Sequence, residues 1–81
     1  MTDHVRRRKE LMSIPDTEAI IRLIERCALS EKDKQFLTMV YAQRISESAA
    51  GDMVGYYGRT ATKHMADGTL CMWLVLNRMR T

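Results

Sequence analysis

Apolar residues recur at helical spacing along most of the chain, and the two-residue alternation of strands is nearly absent. Ile20, Leu23, Ile24 and Cys27 share one face of a helix predicted from about Asp16 to Ala28, with Ile21 and Ala28 widening that face. Ser13-Ile14-Pro15-Asp16 supplies its start, because Ser13 or Asp16 can accept from orphan N–H groups and Pro15 fits a first turn. A second helix opens at Ser30, with Asp33 at the capping-box position, and turns Phe36, Leu37, Val40 and Tyr41 inward until about Ala42 to Arg44. Ser46 caps a third helix, in which Ala49, Ala50, Met53 and Val54 face the core and Gly55 ends the run. A fourth begins near Gly58 or Arg59, with a stripe of Ala61, Met65, Gly68 or Thr69, Met72, Leu76 and Met79. Gly68 costs about 1 kcal/mol against Ala inside a helix and marks a bend, a break or a close crossing.

The expected fold class is therefore all-α, a domain of four to five helices over residues 13–81. Residues 1–12 lack an apolar period and are expected as a basic, flexible N-terminal arm. Such an arm is either an ordinary solvated terminus or a contact to phosphates.

Ile45 to Ala66 has the layout of a helix-turn-helix, with one helix from about Glu47 to Val54 and a second from about Arg59. Two helices that cross closely need a small residue at the crossing, which Gly51 offers. The turn needs a residue that tolerates positive φ, which Gly55 offers.

Composition sharpens this picture in few places. The chain has 81 residues, 46% of them hydrophobic, enough for one modest core. Its net charge of +3 is a mild basic bias, with the excess at Arg6 to Lys9 and in the last third of the chain. Cys27 and Cys71 have no CxxC spacing and no matching His pair, so no metal site is expected, and both fall in apolar helical stretches that suit free thiols. The apolar run from Leu70 to Leu76 is too short to span a membrane, and no signal peptide is present; a cytoplasmic protein with no membrane partner is expected.

The stretch LSEKDKQFLTMVYAQRISESAAGDMVGYYGRTATKHMADG resembles the C-terminal promoter-reading domain, region 4, of bacterial sigma factors and its phage and LuxR-type relatives. Leu29-Ser30-Glu31 matches the entry of the family's first helix, Tyr41 its tyrosine, and Ile45-Ser46 its apolar residue and cap. Gly51 stands where the family prefers Ala, Val54-Gly55 where it prefers Leu-Gly, Thr60-Ala61 where it prefers a Thr-Val-like pair, and Met65 at the apolar position of the recognition helix. Ala50 replaces a large aliphatic residue, Tyr57 replaces the Ser that caps the recognition helix, and Gly58 follows it. The resemblance implies a stand-alone regulator of phage or mobile-element type, with double-stranded DNA as its partner. RNA polymerase is a second partner that the family's domain would bring.

In a helix-turn-helix the second helix lies in the major groove, with its N-terminal residues at base edges. Arg59, Thr62 and Lys63 are the expected readers, Arg59 because its fork matches guanine O6 and N7. Ser46, Tyr57 and Thr60 are candidate phosphate contacts, with Arg44 in support. Leu70, Met72, Trp73, Leu74, Val75 and Leu76 cannot all point into one small core, so Leu70, Trp73, Leu74 and Leu76 are expected at an interface with a second copy or another partner. The alternative is that the first helix covers this segment within the monomer. No Ser/His/Asp constellation, carboxylate pair or Gly-rich phosphate loop occurs, so neither an enzyme nor a cofactor is expected.

Overall fold

The computed structural model describes residues 3–80. They form α1 (Asp3–Met12), α2 (Thr17–Glu25), α3 (Glu31–Leu37) continued by a π-helical segment (Thr38–Ala42), α4 (Glu47–Val54) and α5 (Arg59–Arg80). The domain is all-α, with no strand among the described residues.

Local chemistry sets the boundaries. The Glu18 amide donates to Asp16 Oδ1 at 3.0 Å, the Asp33 amide to Ser30 Oγ at 3.2 Å and the Ala49 amide to Ser46 Oγ at 3.2 Å. Each bond satisfies an N–H that the first turn of a helix leaves orphaned. Gly55 closes α4 in the left-handed region, at φ 85°. Helix α2 stops at Glu25, short of the expected Ala28; Cys27 is still buried, but Ala28 is exposed. The second predicted helix keeps its span by widening rather than by staying α-helical. The Gln43 amide donates to the Thr38 carbonyl at 3.1 Å, five residues back, and Val40 and Tyr41 both lie in the core.

Helix α5 is the axis around which the core is built. Its Met65, Thr69 and Met72 are fully buried against Phe36, Leu37, Val40 and Tyr41 from α3 and the π segment, and α2 adds Ile20, Leu23 and Ile24. Tyr41 and Thr69 share a buried hydrogen bond of 2.6 Å. The Thr69 hydroxyl also lies 3.6 Å from Met65 Sδ. Burial raises the Tyr41 phenol above the ordinary tyrosine value. The helix runs unbroken through Gly68, where an added Cβ would sit 2.7 Å from both Leu37 methyls, so the glycine marks a close helix crossing.

Two expectations give way here. Residues 3–12 are not an arm but α1, packed on α5. Leu11 is fully buried, Met12 packs partly buried beside the core, and polar side chains add to them. Arg7 lies over the Trp73 ring at 5.0 Å, Trp73 Nε1 donates to Glu10 at 2.6 Å, and Arg8 pairs with Glu47 at 3.0 Å. The segment is rich in strong helix formers, Arg, Lys, Glu, Leu and Met, and needs only one buried anchor. The inward face of α4 also differs. Ala50 and Gly51 are buried, whereas Ala49 is exposed and Met53 is 70% exposed, because only the smallest side chains fit under the crossing.

Candidate nucleic-acid interface

The helix-turn-helix is set by contact at Gly51. A Cβ there would overlap the Tyr56 carbonyl oxygen, and Ala61 of α5 lies just beyond, so α4 approaches the turn and α5 closer than any side chain allows. The Tyr56 amide donates to the Gly51 carbonyl at 2.8 Å. Gly58 then takes φ 53° to turn the chain into α5, which explains a glycine at this start.

Arg59, Thr60, Thr62 and Lys63 are all exposed on the first turns of α5. Thr62 Oγ1 donates back to the Gly58 carbonyl at 3.3 Å, leaving its methyl and its acceptor lone pairs outward. Arg59 and Lys63 make no hydrogen bond or ion pair among the described residues, so their charges are available to a ligand. At helical pitch Arg59, Lys63, Asp67, Leu70 and Leu74 follow one another along the outward side of α5, and all five are exposed.

The other expected contacts fare differently. Tyr57 is 64% exposed beside α5 and borders a cleft of about 330 Å³ with Glu47, Ser48 and Asp52. That cleft is acidic and repels phosphate. Ser46 is occupied as the cap of α4. Arg44 takes positive φ at 60° and turns its guanidinium to Met12 Sδ at 3.0 Å and the Ile14 carbonyl at 3.5 Å, so it braces the α1–α2 connection. Arg44 and Ser46 are thus engaged within the fold, while Arg59, Thr60, Thr62, Lys63 and Tyr57 form the outward group.

The set expected at a partner interface also divides. Trp73 is held by Arg7 and Glu10 of α1, and Leu76 is partly buried against the core. The predicted helix at Asp16–Ala28 is not what covers Trp73; the N-terminal segment is. Leu70 and Leu74 stay outward, 39% and 45% exposed.

Sequence reasoning missed the group behind the start of α5. Asp33, read as a capping-box side chain, instead accepts from Tyr56 OH at 2.5 Å and from His64 Nδ1 at 2.9 Å. The Tyr56 and His64 rings stack at 4.0 Å and 5°, Phe36 meets Tyr56 edge-on at 5.3 Å, and the Lys32 ammonium lies 4.6 Å over the Tyr56 ring. Burial, followed by the bond to Asp33, pushes the Tyr56 phenol up to about 12. A signal existed in the aromatic at the turn and the only histidine of α5, but nothing in their spacing pointed to Asp33.

Elsewhere, burial and then the neighbouring Cys71 thiol push the Cys27 thiol up to about 12, which makes it a poor nucleophile. Among the described residues no three His, Cys, Asp or Glu side chains converge as a metal site, and no helix is long and apolar enough to cross a membrane. Comparison with models of protein families, with curated proteins and with solved structures finds no match.

Proposed function

We propose that the chain is a sequence-specific, DNA-binding transcription regulator that reads the major groove of double-stranded DNA with the first turns of α5. The observation that carries this reading is the pairing of two features. A helix-turn-helix is locked at Gly51, and the exposed start of its second helix presents Arg59 and Lys63 without internal partners. The acidic cleft at α4 supports the same approach direction, since a duplex meets its phosphates best along α5 and not across Glu47 and Asp52. Arg59 forks onto a guanine, Thr62 offers its methyl to a thymine, and Lys63 serves a base or phosphate. The likeness to the sigma region 4 family fits a stand-alone regulator of phage or mobile-element type.

The test is binding to duplex DNA as a function of salt. The parent should lose affinity steeply as salt rises. Changing Arg59 and Lys63 together to Ala should abolish detectable binding; Arg59→Ala alone should cost about 1–3 kcal/mol and relax specificity at its base, and Lys63→Ala alone should flatten the salt slope by about one if it serves a phosphate. Stability should stay within about 0.5 kcal/mol, because both side chains are exposed. A double variant that binds as the parent does removes the reading.

A second reading is a protein-interaction module, with RNA polymerase or a second copy of the chain as its partner. It is favoured by exposed Leu70 and Leu74 and by a groove of about 430 Å³ between α2 and α3, floored by Ile21, Ile24 and Met39 and rimmed by Glu25, Glu31 and Lys34. Salt-insensitive absence of DNA binding, with partner binding lost in Leu74→Glu, would establish this reading over the first.

A further inference from the structure

Two faces of the chain carry matching patterns. On the outward side of α5 the order is Lys63, Asp67, Leu70 and Leu74, all exposed. The groove between α2 and α3 is charged where Glu31 precedes Lys34 and apolar further along, at Met39 and Ile21. Each face runs through two opposite charges into an apolar stretch, and the signs on one are the reverse of those on the other. The spacing is similar too. At 1.5 Å per residue, Lys63 to Asp67 spans about 6 Å and Glu31 to Lys34 about 4.5 Å. An apolar residue follows the second charge after about 4.5 Å on α5 and about 7.5 Å along the groove, a difference that long side chains absorb. None of Glu31, Lys34, Lys63 and Asp67 makes an ion pair or side-chain hydrogen bond among the described residues. Lys63 stands N-terminal to Asp67, the weaker order for a pair within one helix. Both faces therefore hold charges that the fold leaves unmatched.

We propose that α5 of one copy docks along the α2–α3 groove of another, so that copies join head to tail. Lys63 meets Glu31, Asp67 meets Lys34, and Leu70 and Leu74 lie over Met39 and Ile21. The two surfaces differ, so the contact is heterologous, and every assembly keeps a free groove at one end and a free α5 at the other. Association therefore continues beyond a dimer. The inference rests on the second reading above and names its partner as this same chain. Docking takes Lys63 away from a duplex, so the measurement is made without DNA.

The experiment is sedimentation velocity of the full chain from about 10 to about 500 µM, a range suited to a small contact. The mean mass of the parent should climb with concentration and pass that of a dimer. Leu74→Glu spoils the α5 face, and Lys34→Glu spoils the groove by setting a like charge against Asp67. Each variant should associate at least about tenfold more weakly, with its helical circular-dichroism spectrum unchanged. An equimolar mixture of the two should form a dimer and stop there, because each pair contains one intact α5 face and one intact groove. Lys34→Glu combined with Asp67→Lys restores opposite charges and should recover association, which decides the matter even where Leu74→Glu does not fold. A parent that stays monomeric or stops at a dimer overturns the proposal. So does association that is lost in Leu74→Glu but kept in Lys34→Glu, since α5 would then pair with α5, and so does a mixture that stays monomeric. A monomeric parent that still binds a different protein through Leu74 leaves the second reading standing without this partner.

Discussion

The two halves of α5 are held in opposite ways. The first half, through Met65, is fixed by backbone approach: Gly51 meets the Tyr56 carbonyl, and Ala61 fills the crossing. Its outward side is left to Arg59, Thr62 and Lys63. The second half is overlaid by a separate helix. Leu11 is the buried anchor of α1, and Arg7, Arg8 and Glu10 tie that helix down through Trp73 and Glu47. A crossing set by backbone contact tolerates no change of volume, whereas a polar overlay can loosen by degrees. One helix thus combines a start fixed by backbone contact with a second half covered by α1.

The sharpest way to break this contrast is at the two buried glycines. At Gly51 an added Cβ meets a backbone carbonyl, which cannot rotate away, so Gly51→Ala is expected to cost about 3 kcal/mol. At Gly68 the obstacle is the Leu37 side chain, which can shift, and alanine recovers about 1 kcal/mol of helix propensity. Gly68→Ala should therefore cost clearly less, about 1 kcal/mol net. Urea unfolding of both variants checks the order. Equal losses would mean that backbone contact at Gly51 is not what fixes the start of α5.

How far the sequence reveals these features follows the same division. Gly51, Gly55, Ser46 and the start at Arg59 are local requirements: a crossing, a left-handed cap, an orphan N–H and a helix beginning. Each restricts residue type, so each is legible without the fold. The α1 helix was not legible, because Val5, Leu11 and Met12 make no helical stripe and its polar partners lie 39 and 63 residues away. The Asp33–Tyr56–His64 group escaped for the same reason, since its bonds span separate elements and no spacing rule encodes them. The bracing contacts of Arg44 to Met12 and Ile14 were not legible either, because a positive charge beside a motif looks the same in sequence whatever it faces.

At the tail, Leu11→Ala removes the anchor of the overlay and is expected to cost about 2–3 kcal/mol. The more telling result is where the loss falls. Hydrogen exchange should speed up through Asp3–Met12 and the last turns of α5, while the amides of α4 and of Arg59–Met65 keep most of their protection. Uniform acceleration would show instead that α1 supports the start of α5 as well, and the two halves would be one cooperative unit.

The smallest effect should come from Glu10, and its sign can be worked out. The Trp73 N–H, then Arg80, favours the Glu10 carboxylate and holds its pKa below the ordinary 4.5. An acid held lower in the folded state contributes stability that is present above the ordinary value and is lost as pH falls through the lowered one. The overlay of α1 on Trp73 should accordingly weaken only in acid, below about pH 4.5. Glu10→Gln keeps an acceptor for the indole but gives up the charge facing Arg80, 3.5 Å away. It should start slightly less stable at neutral pH and show a flatter acid limb than the parent. Trp73 is the single tryptophan of the chain, so its fluorescence reports this contact directly. An acid limb in Glu10→Gln that superimposes on the parent's would assign the loss to other carboxylates, and the overlay of α1 would then rest on Leu11 and Arg7 rather than on the Glu10 charge.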